Sequence, residues 1–141
     1  MKLTQLIFSA IVTLGIAGTA YADAIPKRSK DFTGNYQTLV KDQKASPQVA
    51  NCIASAYDYV KKSKKYDRLG FTREDIAAAK TNKKSSKFSS KDASKVSAVI
   101  SVSGEARSKN SGTQWDAVTL RCGITDGKLK AIELVSHKAT Q

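Results

Sequence analysis

Histidine is almost missing from this chain: His137, close to the C-terminus, is the only one. A histidine acts as a base only where a site holds it, and His137 reads as a surface residue past the last strand. Cysteine occurs twice, at positions 52 and 122. Two cysteines without nearby histidine or carboxylate partners do not make zinc spacing, so no metal is expected. There is no CxxC redox pair, no glycine-rich phosphate loop, no GxSxG elbow and no HExxH helix, so no cofactor is expected either. Acidic residues are scarce, 12 against 24 lysines and arginines. Glu105 and Glu133 read as lying on adjacent strands, where paired carboxylates could cut a glycan. On the strands of so basic a protein, such acids more often balance lysine and arginine. The chain is therefore expected not to be an enzyme.

What is present begins with an address. Lys2 gives a short positive start, and residues 6–16 form an apolar run too short to cross a bilayer as an ordinary helix. Ala20-Tyr21-Ala22 places small residues where a signal peptidase reads. The pattern predicts a signal peptide over 1–22, cleavage after Ala22, and an exported protein, periplasmic or secreted. No later segment is apolar enough to span a membrane. Cleavage leaves 119 of the 141 residues, which suits one domain with a modest core. The formal charge is +12, and about +11 once Lys2 is removed. Such a charge disfavours self-association, so a monomer is expected, and it attracts polyanions: an acidic glycan, anionic lipid or nucleic acid.

Residues 23–45 form a lead segment in which Phe32, Tyr36, Leu39 and Val40 are apolar at helix-like spacing, consistent with a short helix or an ordered arm. Ser46-Pro47 is a clearer start, because serine caps a helix and proline is tolerated in its first turn. Val49, Cys52, Ile53, Ala56, Tyr57 and Val60 then follow at the three-and-four spacing of an amphipathic helix. Lys61, Lys62, Lys64 and Lys65 crowd its C-terminal end, where cations suit the helix dipole, and Leu69-Gly70 reads as its exit. Thr72, followed by Glu74 and Asp75, resembles a second, brief helix start, with a short strand as the alternative because so brief an apolar run carries no reliable period.

From Lys80 to Lys95 the composition turns to lysine and serine, with one aromatic and one acid. So little apolar material predicts a long flexible loop. Lys83, Lys84, Lys87 and Lys91 would offer point charges to a polyanion there, with Phe88 free to stack on it or wedge into it. Together with the lysines at 61–65 they are read as one basic face.

The C-terminal half reads as a β-meander of three or more antiparallel strands. Val96, Ala98, Ile100 and Val102 share one face of the first strand, and Gly104 marks a bulge or a close approach. Ser108 to Gly112 is a turn. Val118, Leu120, Cys122 and Ile124 line the inward face of the next strand. Asp126-Gly127 suits a tight hairpin turn, and Leu129, Ile132 and Leu134 continue the return strand. Trp115 falls on the face opposite Cys122 and is the candidate anchor should the partner be a protein.

The expected fold is α+β: one amphipathic helix across the meander, in a single small domain over 46–141. Cys52 lies on the inward stripe of the helix and Cys122 on the inward face of the central hairpin strand. In an oxidising compartment they are predicted to pair. The 70-residue loop so closed is worth about 4 kcal/mol by chain-entropy arithmetic.

The sequence NCIASAYDYV around Cys52, a strand ending in SGEARS, and WDAVTLRCGITDGKLKAIEL together resemble small exported proteobacterial proteins of the BspC-like type. The likeness covers the second half of the mature chain and its helix. It implies an exported, non-enzymatic protein and carries no catalytic residue over. The Lys/Ser stretch at 80–95 is not part of the pattern.

Overall fold

The computed structural model describes residues 25–137; the expected signal peptide and its cleavage point lie outside them. The described chain runs α1 (Phe32–Lys41), α2 (Pro47–Val60), β1 (Tyr66–Gly70), α3 (Arg73–Ala77), β2 (Lys80–Lys87), β3 (Lys95–Ser108), β4 (Trp115–Thr125) and β5 (Lys128–Ser136). The fold is α+β with a five-stranded antiparallel sheet. Besides the helix expected across the sheet, the lead segment and the segment after Thr72 are helical, each one of the alternatives their residues offered.

Local chemistry sets the helix starts. The Ser46 Oγ accepts from the Val49 N–H at 3.3 Å, with Pro47 in the first turn of α2. Thr72 and Asp75 exchange side-chain hydrogen bonds across the start of α3, so two donors that the helix itself cannot satisfy are paired. The predicted α2 stripe is buried except for Tyr57, which is half-buried. The lead segment is helical as well. Phe32 and Leu39 of α1 enter the same core as α2. Asp58, buried on α2, holds the lead segment in place: its Oδ2 accepts from the Ser29 N–H at 2.9 Å. Lys61 lies 3.5 Å from Asp58 Oδ1 and 3.3 Å from Asp31.

One face of the sheet carries the main core. Ile100, Val102, Val118, Leu120, Cys122 and Ile132 pack there with α2. The Cys52–Cys122 disulfide closes this layer, with Cα atoms 5.9 Å apart. The hairpin turn is as its residues require: Asp126 and Gly127 take φ of 51° and 72°. The return strand departs from simple alternation. Gly123 pairs with Ala131 but Ile124 pairs with Leu129, so Lys130 is an extra residue in the ladder. That bulge lets Leu129 and Ile132, which differ in parity, both reach the main core.

Two segments differ from expectation for one reason, the length of β3. Its one edge pairs with β4 from Ala98 to Arg107. Its other edge takes two partners end to end: β2 along Lys95–Ser101 and β1 along Glu105–Ser108. Leu69-Gly70, read as the exit from a helix, are therefore the end of strand β1, Tyr66–Gly70. Residues 80–87, read as part of a flexible loop, are strand β2. All eight residues of β2 are exposed, so side-chain burial does not order them. The backbone ladder supplied by β3 does.

The chain crosses from β1 to β2 beside Gly104. A Cβ there would come within 2.5 Å of the Phe71 ring and 2.7 Å of the Gly70 carbonyl oxygen. Gly104 is thus the close approach, and no bulge interrupts the β3–β4 register at it. Val96 also departs from its predicted face: it packs with Phe88, Val99 and Ala131 in a small second cluster. Gly123 makes room for it, since a Cβ there would meet Val96 at 2.7 Å and Phe88 at 2.9 Å.

Candidate functional site

The residues singled out for binding are divided by the fold. Phe88 is fully buried. It sits in the second cluster, with the Arg121 guanidinium 4.9 Å from its ring centroid. Its backbone closes a turn through Phe88 N–H to Ser94 O at 2.8 Å and Ser89 N–H to Asp92 O at 3.0 Å. The expectation that Phe88 stacks on a ligand is therefore corrected. A lone aromatic in a polar stretch is drawn into the nearest apolar site, here the space above Gly123.

Lys83, Lys84 and Lys87 are exposed on β2, and Lys91 is exposed on the turn after it. Lys80 pairs with Ser101, on the face of the sheet away from α2, while Lys83 pairs with Ala98, on the face that packs on the main core. The lysines therefore leave both sides of one strand. They make a rim along an edge of the sheet, not a patch on a face.

The fold extends this rim. Because β1 and β2 lie end to end along β3, the lysines after α2 sit at the far end of the edge that carries those of β2. Residues 61–95 hold twelve basic and four acidic residues, a net +8 of the chain's +12. The edge is as long as β3, about 45 Å for 14 residues. Two of the acids beside it are already engaged. Asp67 receives both Nε (2.8 Å) and Nη2 (2.9 Å) of Arg107, and these hydrogen bonds hold its carboxyl below the usual carboxylate range. Asp92 accepts from the Ser94 N–H. Among the described residues, Lys62, Lys64, Lys80, Lys83, Lys84, Lys87, Lys91 and Lys95 have no ion-pair partner.

Lys109 joins the rim, although no local pattern in SKNSG marks it. Its N–H donates to the Lys65 carbonyl at 2.9 Å and its Nζ donates to the Ser63 carbonyl. The tip of the β3–β4 hairpin is thereby fixed to the 61–65 segment. Arg68, exposed on β1, was missed for the same reason: no local pattern distinguishes so short a strand.

Trp115 lies at the other end of β3. It pairs with Arg107, nine residues from the Ala98 partner of Lys83, a span of about 30 Å. It is 41% exposed and packs over Gly70. It is therefore not part of the β2 lysine set. Glu105 and Glu133 are not on adjacent strands: β4 separates them, and Glu133 pairs with Arg121. His137 receives or donates a 2.7 Å hydrogen bond with Thr119 on the exposed side of the sheet. No group of three or more metal-ligating side chains occurs among the described residues. No described helix is long and apolar enough to cross a membrane.

No protein-family model matches this chain, and no curated protein or solved structure matches it.

Proposed function

We propose that this protein is an exported, non-enzymatic binding module that holds a polyanion along the β1–β2 edge of its sheet. One observation carries the reading: two lysine-rich segments, separated in sequence by β1 and α3, are brought to the two ends of one edge of β3, and among their described lysines only Lys61 has an ion-pair partner. A row of solvated ammonium groups without acidic partners attracts a polymer of negative charge and releases its counterions on contact. The row runs along an edge and leaves both faces of β2, which suits an extended polyanion better than a compact one. Lysine-edged strands also keep sheets from pairing with one another, and the two roles are compatible. The BspC-like resemblance, which carries no catalytic residue over, would likewise imply an exported, non-enzymatic protein.

The test is a binding titration of the mature protein at low and high salt, against heparin, a single-stranded oligothymidine and phosphatidylglycerol vesicles. The variant Lys83→Ser/Lys84→Ser/Lys87→Ser/Lys91→Ser is titrated in parallel. At least one probe should bind at low salt, weaken steeply with salt, and bind the variant about tenfold more weakly with a shallower salt slope. Binding that ignores salt and the four substitutions alike would sink the electrostatic reading. The second reading, a protein-recognition factor anchored by Trp115, draws support from the exposure of that indole. It predicts a folded Trp115→Ala variant that loses a protein partner and keeps its polyanion binding.

A further inference from the structure

A second site stands apart from the lysine rim. A groove of 510 Å³ opens between the start of α1, the start of α2 and the β4–β5 turn. None of its lining residues belongs to β1, β2 or the turn that follows β2. Its size falls within the range of small-molecule sites, about 300–1,000 Å³.

The walls are ordered by stacking. The Arg28 guanidinium carbon lies 4.2 Å from the centroid of the Phe32 ring. Phe32 stacks in turn on Tyr36, with centroids 6.3 Å apart and planes 14° from parallel. Arg28 Nη2 donates to Asn51 Oδ1 at 3.2 Å, so the guanidinium is fixed from the side as well as from below. Ile124 supplies further apolar wall, and Gln48 and Asn51 supply amide groups. Among the described residues, no carboxylate lines the groove and Arg28 has no ion-pair partner.

The arrangement is selective in its chemistry. One arginine held by stacking keeps its remaining N–H groups for a planar anion, and an arginine fork matches a carboxylate with two parallel hydrogen bonds. An anion without an apolar body would leave the half-buried Tyr36 ring unused, and a neutral aromatic would leave Arg28 unanswered. We infer that the groove between α1 and α2 takes a small carboxylate with a flat apolar body, its carboxylate on Arg28 and its ring against the partly exposed Tyr36, which the buried Phe32 backs. The site does not depend on the polyanion rim.

The test uses 3-phenylpropanoate as probe, with 3-phenylpropanamide as its neutral counterpart, followed by chemical-shift perturbation in the full mature protein. The acid should bind at least tenfold more tightly than the amide, with shifts at Asn51 and Gln48. Arg28→Gln should remove the preference for the acid. Thr33→Trp, a change at an exposed wall position that fills the groove, should abolish binding of both. Lys83→Ser/Lys84→Ser/Lys87→Ser/Lys91→Ser should leave acid binding unchanged, which separates this site from the rim. Equal binding of acid and amide, no binding of either, or an acid preference that survives Arg28→Gln but is lost in the lysine variant, overturns the inference.

Discussion

Lys109 gives its backbone N–H to the carbonyl of Lys65, so two segments that each carry positive charge are fixed side by side by a main-chain hydrogen bond of 2.9 Å. Lysines crowded in this way repel one another, and the repulsion is screened over about 10 Å at 0.1 M salt. The hydrogen bond holds the rim together, but the charges load it. Stability should therefore rise with ionic strength. Thermal unfolding between 20 and 500 mM sodium chloride (conditions chosen to span about 20 to 4 Å of screening length) should show a rising midpoint, and Lys62→Ser/Lys64→Ser should reduce the slope. A midpoint that does not move with salt would show that these charges are too far apart to interact.

The rim lysines and Phe88 should separate cleanly by experiment. Phe88 is fully buried against Val96, Val99 and Ala131, so Phe88→Ala should cost about 3–5 kcal/mol. Lys83→Ser and Lys87→Ser, on the exposed strand next to it, should change stability by no more than about 0.5 kcal/mol. Urea unfolding of the three variants reads this directly. A near-neutral Phe88→Ala would contradict its place in the second cluster.

The Cys52–Cys122 bridge clips α2 to β4 across 70 residues. Replacing both cysteines with alanine should lower stability by about 4 kcal/mol, with little change in the far-ultraviolet spectrum if the remaining core still folds. Denaturant midpoints of the wild type with and without reductant should reproduce the loss. If reduction leaves the midpoint in place, the bridge contributes nothing to the folded state.

Asp58 supplies a pH dependence with a definite sign. Burial alone would raise its pKa. The hydroxyl and backbone N–H of Ser29, with the charge and hydrogen bond of Lys61, together outweigh that and hold the carboxyl below its usual range. A carboxyl whose folded pKa is lowered stabilises the fold fully above its unfolded pKa, about 3.9, and loses that contribution as pH falls through the lower folded value. Stability should thus drop as the solution is acidified below about pH 4. Asp58→Asn should lose stability at neutral pH and show a smaller loss on acidification. Calorimetric midpoints from pH 2 to 7 (a range set around that ordinary carboxylate value) decide it, and parallel curves for the two proteins would exclude Asp58 as the source.

Gly104 gives a steric prediction. Its missing Cβ is the space that the Phe71 ring and the Gly70 carbonyl occupy. Backbone cannot swing aside as a side-chain end can, so Gly104→Ala should destabilise by about 1–3 kcal/mol. Gly112→Ala, with nothing near its Cβ position, should be close to neutral. Equal effects at both glycines would show that the crossing from β1 to β2 is looser than the structure places it.

The sequence alone determined the features that local chemistry controls. Ser46-Pro47 and Thr72–Asp75 start helices because the capping atoms are within three residues of the donors they satisfy. Asp126-Gly127 turns the chain because those residues tolerate positive φ. The stripe through Cys52 and the alternation through Cys122 each place a sulfur inward, and so their pairing was legible. Tertiary structure alone decided the rest. Strands β1 and β2 exist because β3 is long enough to offer both an edge, and a backbone ladder of that kind leaves no period in YDRLG or KTNKKSSK. Phe88 is buried because Gly123, 35 residues later, leaves a space for it. The charge was visible as composition, but its alignment into one rim depends on which strands share an edge. The groove at Arg28 likewise depends on α1 and α2 meeting the β4–β5 turn, a juxtaposition of three distant segments that no local pattern encodes.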